Sequence, residues 1–127
     1  MALTCVALVD DEASVRVALG RLLRLADYEV VAYASGQEFL ASLADRMPDC
    51  ALLDVHMPGL TGPQVQARLH AAGIGLPIVF ITASDDPAIA RSALETGGLR
   101  VLRKPFANEE LLAAIGFALQ SQRPSAP

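Results

Sequence analysis

The chain has 127 residues, enough for one domain with a real core and too few for two. Apolar residues make up 53% and charged residues 19%, which excludes a disordered chain. The formal charge of −4 argues against a basic face that grips nucleic acid, and no apolar run approaches the ~20 residues that span a bilayer.

The first ten residues reach an acidic cluster without a basic segment, so a cytoplasmic chain without a signal peptide is expected. Cys5 and Cys50 sit in apolar runs with no CxxC spacing. They read as two buried thiols in a reducing compartment. Nine of the ten basic residues are arginines, and Lys104 is the only lysine.

Apolar runs alternate with helical patterns along the chain. Thr4 to Val9 is almost wholly apolar, as a central parallel strand should be. Val15, Leu19, Leu22 and Ala26 then recur at helical spacing, with Arg16 and Arg24 off that stripe. Tyr28 to Tyr33 is β-branched and aromatic and predicts a second strand. Ser35 and Glu38 form a capping box for a helix to about Ala44. Cys50 to Asp54 is the third strand, and Pro63 suits the first position of a helix to about Ala72. Pro77 to Thr82 is the fourth strand. Asp86 and Pro87 start a helix that ends at Gly97-Gly98. Leu99 to Leu102 is the fifth strand, and Asn108 caps a last helix with Glu109 and Glu110 in its first turn.

Five βα units in one short chain predict an α/β fold: a doubly wound, five-stranded parallel sheet covered by helices on both faces. Its usual strand order is 2-1-3-4-5, with a ligand crevice at the carboxyl ends of strands one and three. The domain is expected over 3–120, and 121–127 reads as a polar tail or the start of a linker.

The strand ends carry the chemistry. Strand one runs into Asp10-Asp11-Glu12, strand three ends at Asp54, strand four at Thr82, and strand five is followed by Lys104-Pro105. Singly, each has an ordinary explanation as a cap, a turn residue, a strand former or a solvated amine. Together they place three carboxylates, a hydroxyl and the only lysine on the ligand rim. Crowded carboxylates call for a divalent cation, and an all-oxygen site with room for water suits Mg²⁺. The chemistry that such a site favours is phosphoryl transfer to a carboxylate.

V-D-D-E at 9–12, D-x-x-M-P-G at 54–59, I-T-A at 81–83 and L-x-K-P-F at 102–106 together resemble the receiver domain of bacterial two-component response regulators. S-G-x-E-F-L at 35–40 is similar to receivers of the FixJ type. The resemblance implies a cytoplasmic switch phosphorylated on Asp54 by a histidine kinase or phosphotransfer protein. It implies a self-catalysed acceptor with slow autodephosphorylation rather than an enzyme. Asp11 and Asp54 would ligate Mg²⁺ with the backbone carbonyl of His56, and Asp10 would act through water. Thr82 would hydrogen-bond the phosphoryl group, Lys104 would ion-pair with it, and the Lys104–Pro105 peptide would be cis. His56 and Ser84 would tune hydrolysis. The kinase would dock on Ser14, Val15 and Ala18 with Pro105 and Phe106. The resemblance fits a single-domain regulator or the N-terminal part of a DNA-binding one. It fits a protein that is mainly monomeric, with at most a weak dimer on phosphorylation, and that binds neither nucleic acid nor membrane through this domain.

Two positions depart from the family. Val101 stands where an aromatic switch residue is usual, and Gly97-Gly98 replaces Gly-Ala. The expected consequence is coupling through the 83–87 loop and helix four, with the two glycines loosening that helix's far end. A haloacid-dehalogenase-type phosphohydrolase fits less well, because strand one lacks D-x-D and no cap insertion fits the length. A flavodoxin-like mononucleotide binder would want a phosphate loop where this chain is acidic.

Overall fold

A computed structural model describes residues 3–121. The chain alternates β1 (Cys5–Val9), α1 (Ala13–Leu25), β2 (Glu29–Tyr33), α2 (Gly36–Ser42), β3 (Cys50–Asp54), α3 (Gly62–Ala71), β4 (Ile78–Thr82), α4 (Pro87–Glu95), β5 (Arg100–Arg103) and α5 (Asn108–Ser121). The five strands form one parallel sheet in the order β2-β1-β3-β4-β5, as the repeated βα pattern predicts.

Every residue of β1, β3 and β4 is buried. These strands are covered on both faces, so their sequences are continuously apolar instead of alternating. Val6, Leu8, Leu52, Val79 and Ile81 face Leu23 of α1 and Leu111 and Ile115 of α5. Ala7, Val9, Leu53, Ile78 and Phe80 face Phe39 of α2, Val65 and Leu69 of α3 and Ala93 of α4. The edge strand β5 exposes Arg100 and Arg103, charges that discourage pairing with another sheet. Both cysteines are buried and free. Strand alternation puts Cys5 on the Ala7 face and Cys50 on the Leu52 face, so the sheet itself separates them.

Several helix ends differ from the sequence expectation. Ser35 does cap α2, its Oγ accepting from the Glu38 N–H at 3.1 Å, but the Glu38 carboxylate closes on the N–H of Ala34 at 3.0 Å rather than on that of Ser35. α3 starts earlier than Pro63 suggests. Thr61 and Gln64 form a full capping box, with Pro63 inside the first turn. Asn108 is the first residue of α5 rather than its cap. Glu110 Oε1 accepts from the N–H of Ala107, the residue before the helix, at 3.1 Å. Ser121 belongs to α5, and the rest of the expected tail, 122–127, lies outside the described residues.

The Gly97-Gly98 pair is not a loose joint. Gly97 has φ +110°, a left-handed conformation that closes α4. Gly98 is there for space: a methyl on it would sit 2.5 Å from two carbons of the fully buried Phe80 ring. A methyl on Gly62 would meet the same ring at 3.0 Å and the Asp54 carbonyl oxygen at 2.6 Å. The ring is therefore wedged between two glycines, in a core with no slack. Gly98→Ala should destabilise the protein by about 1–3 kcal/mol, the usual range for overpacking. Combining it with Phe80→Leu should recover part of that loss, as a double-mutant cycle by chemical denaturation would show.

Candidate functional site

A parallel sheet delivers all its strand ends to one rim, and the order β2-β1-β3-β4-β5 puts β1 beside β3 there. Asp10 follows β1 and is fully buried. Its Oδ1 accepts from the Glu12 N–H at 2.9 Å and its Oδ2 from Lys104 Nζ at 3.1 Å. Asp54, the last residue of β3, is 5% exposed. Its Oδ1 accepts from the His56 N–H at 3.3 Å, and its Oδ2 lies 3.7 Å from Lys104 Nζ. Asp11 is exposed, yet one carboxylate oxygen from each of Asp10, Asp11 and Asp54 falls within a 4.8 Å group. Thr82 ends β4, buried, and Lys104 is tied to it by a backbone bond of 2.8 Å from its N–H to the Thr82 carbonyl. The Lys104–Pro105 peptide is cis. The structure thus brings Asp10, Asp11, Asp54, Thr82 and Lys104 to one crevice. The His56 side chain stays exposed outside it.

The electrostatics follow from burial. Desolvation, joined by the charge of Asp10, raises the Asp54 carboxyl to about 6; Lys104 and the His56 N–H pull the other way and do not cancel it. Burial lowers the Lys104 amine, but its hydrogen bond to Asp10 and the charges of Asp54 and Asp10 outweigh that, leaving it raised. Three carboxylates against one ammonium leave a surplus of negative charge in the crevice, two of the carboxylates buried and one exposed. The donors are all hard oxygens, the kind that Mg²⁺ or Ca²⁺ takes.

Two further features sit at the rim. Arg16 Nη1 donates to the Asp10 carbonyl at 2.7 Å. Its place off the α1 apolar stripe gives no sign of this contact. Thr82 Oγ1 accepts from the Ser84 N–H at 3.1 Å, Ser84 Oγ from the Asp86 N–H at 3.1 Å, and Asp86 Oδ1 from the Ala88 N–H at 3.0 Å. These bonds form a ladder in steps of two residues, from the rim hydroxyl to the first turn of α4. The polar run T-A-S-D-D-P carries that signal in retrospect. Beside the rim, Ser14, Val15, Ala18, Lys104, Pro105 and Phe106 line a cavity of about 260 Å³.

Residues 6–116 match the family model described as Response regulator receiver domain. The chain belongs to the response regulator receiver domain family. It is 38% identical over 115 residues to nodulation protein W of Bradyrhizobium diazoefficiens, an alignment that covers 91% of this chain and 51% of that one. Its fold superposes on the crystal structure of FixJ-N with a TM-score of 0.90 at 28% identity, covering 98% of this chain and 99% of that one. The response regulator StyR is 41% identical, with a TM-score of 0.85, covering 94% of this chain and 61% of that one. The FixJ-type likeness of residues 35–40 is consistent with these neighbours. The chain spans about half the length of nodulation protein W.

In this receiver, Val101 is half-buried on the same face as Phe80, its register partner across β4 and β5. In that pair the aromatic ring is on β4 and the valine on β5.

The raised Asp54 carboxyl has a consequence for stability. A carboxyl raised on folding binds its proton more tightly in the folded state, so its ionisation erodes stability as pH climbs from its ordinary value of 3.8 to about 6. Asp54→Asn should therefore stabilise the metal-free protein at neutral pH, by up to about 2 kcal/mol. The gain should shrink as pH falls towards 4 and stay level above about pH 7. Denaturant titrations across that range check it.

Proposed function

We propose that this receiver is a phosphorylation-controlled switch with Asp54 as its phosphoryl acceptor. One observation carries the reading: Asp54 is a buried strand-end carboxylate, within 3.7 Å of the only lysine, in a cluster with Asp10 and Asp11. As a nucleophile it must be ionised, which a carboxyl at about 6 achieves at neutral pH. An oxygen of Asp54 attacks phosphorus, the bond from phosphorus to a kinase histidine nitrogen or to a small acyl donor breaks, and an acyl phosphate remains. Lys104 is placed to ion-pair with the new phosphoryl oxygens, and the Thr82 hydroxyl to donate to one of them. The acidic group fits Mg²⁺, with Asp11, Asp54 and the His56 carbonyl as ligands and Asp10 through water. When bound, it supplies charge screening for the transferring group. The protein then acts as a stoichiometric acceptor that slowly loses its phosphoryl group to water, not as a turnover enzyme.

The partner is a histidine kinase or phosphotransfer protein, approaching over α1 and the loop after β5. The cavity between Ser14, Val15, Ala18 and Phe106 supports that surface, because it opens beside Lys104. The family match supports a cytoplasmic setting. The domain serves as a single-domain regulator or as the regulatory part of a longer, DNA-binding one.

Acetyl phosphate with Mg²⁺ should add one phosphoryl mass to the protein, and Asp54→Asn should abolish it. Labelling that persists in that variant would move the acceptor elsewhere. Val15→Lys combined with Phe106→Ala should label normally with acetyl phosphate but slow transfer from the cognate kinase by about tenfold, as loss of an aromatic anchor does.

The output leaves through the β4–α4 loop. Valine at 101 has a stiff χ1 and little reach, so no ring swings inward when Thr82 moves. A Thr82 hydroxyl drawn towards a phosphoryl oxygen strains the first rung of the ladder and, through Ser84 and Asp86, the start of α4. Each rung is worth about 1 kcal/mol, small enough to break. With beryllofluoride as the phosphoryl mimic, amide exchange should change from Ala83 to Glu95 while Leu99 to Leu102 stay as they were. In Ser84→Ala the change in α4 should shrink, although Asp54 still takes the label. The reverse distribution would show a path along β5.

A further inference from the structure

Asp10 is held on every side. Its N–H donates to the Tyr33 carbonyl at 3.2 Å, and its carboxylate takes the Glu12 N–H and Lys104 Nζ. Its carbonyl oxygen accepts from Arg16 Nη1 at 2.7 Å. Arg16 is half-buried near the start of α1, and its guanidinium reaches back over the β1–α1 loop.

That carbonyl belongs to the planar peptide joining Asp10 to Asp11. Holding its oxygen sets the direction in which Asp11 leaves the loop. The Asp11 carboxylate is exposed and takes part in no hydrogen bond or ion pair among the described residues. It nevertheless stays within the 4.8 Å group with Asp10 and Asp54, where like charges repel. The restraint must come from the backbone, which two side-chain contacts grip: the Asp10 carboxylate on the Glu12 N–H after Asp11, and the Arg16 guanidinium on the Asp10 carbonyl before it.

We propose that Arg16 is a positioning residue of the acidic crevice, keeping the Asp10–Asp11 peptide turned so that the Asp11 carboxylate faces Asp54 and can share a divalent cation with it. The inference rests on the metal-dependent reading above. It also predicts a sign. The guanidinium charge by itself repels a cation, so a purely electrostatic role means that removing Arg16 tightens Mg²⁺ binding. A positioning role means that removing it weakens binding. A solvated surface arginine means no change.

The test is calorimetric titration of the full chain with Mg²⁺ alone, because the protein has no tryptophan to report binding. Arg16→Met and Arg16→Ala remove the donor. Both residues are strong helix formers, so a folded variant without the donor is available. Arg16→Gln and Arg16→Lys keep a donor. The donor-free variants should bind Mg²⁺ about tenfold more weakly, the low end for losing a group that orients metal ligands. The Gln and Lys variants should recover most of the affinity. In acetyl phosphate labelling, the Mg²⁺ concentration for half-maximal rate should rise in Arg16→Met, with the plateau rate within about twofold of wild type, because the donor acts on ligand placement rather than on the acceptor. Equal or tighter Mg²⁺ binding in a folded donor-free variant overturns the proposal, as does a loss in Gln and Lys as large as that in Met. If the wild-type chain takes up no Mg²⁺, the metal reading and this inference fall together. If it does and the donor-free variants match it, only this inference falls.

Discussion

One ammonium group holds two buried carboxylates at the end of the sheet. Lys104 Nζ lies 3.1 Å from Asp10 and 3.7 Å from Asp54, and both acids are nearly or wholly shielded from water. Taking a charged group out of water costs several kcal/mol even after relaxation, and one partner cannot fully offset two acids. The strain is visible in Asp54, which is raised to about 6 despite Lys104 and the His56 N–H. A protein selected for stability alone would fill this crevice with apolar side chains. The rest of the architecture keeps the arrangement in place: strand order sets β1 beside β3, and the Lys104–Thr82 backbone bond fixes the amine's origin. Gly62 lets α3 start directly against the Asp54 carbonyl.

Much of this was legible in the chain. Parallel strands buried on both faces write themselves as unbroken apolar runs, so β1, β3 and β4 could be placed to within a residue. Once the strands are placed, a parallel sheet forces Asp10, Asp54, Thr82 and Lys104 to one rim. What escaped was everything decided by local hydrogen bonding. Pro63 drew attention from the Thr61–Gln64 box, and Asn108 looked like a better cap than Ala107, whose N–H is served by Glu110 instead. Arg16 was invisible as a site residue because an arginine off an apolar stripe is the ordinary signature of a wet helix face. Its bond to a backbone oxygen leaves no spacing rule behind.

Gly98 shows the same gap from the packing side. Two adjacent glycines suggest freedom, and Gly97 does use it, with φ +110°. Gly98 instead makes room for the Phe80 ring, which the sequence places only as one more apolar residue of β4. The need is set by a contact between residues far apart in the chain, and composition cannot express it.

That contact also bears on how a switch built on Asp54 communicates. Phe80 is wedged between Gly62, at the Asp54 end of β3, and Gly98, at the turn into β5, so it joins the two regions through hard contact. A fully buried ring packed against the backbone at both glycines transmits strain between the two regions, as close-packed interiors do. A switch needs an element with two states close in energy. The Thr82–Ser84–Asp86 ladder is the softer element. Its outer rungs are exposed, each bond is replaceable by water, and the tether from Arg103 to Asp85 at 3.8 Å is an exposed ion pair of little strength. The rigid path keeps Asp54 and β5 in register. On the proposed reading, the soft path is where a new hydrogen bond made by the Thr82 hydroxyl would change a population, and it leads to α4.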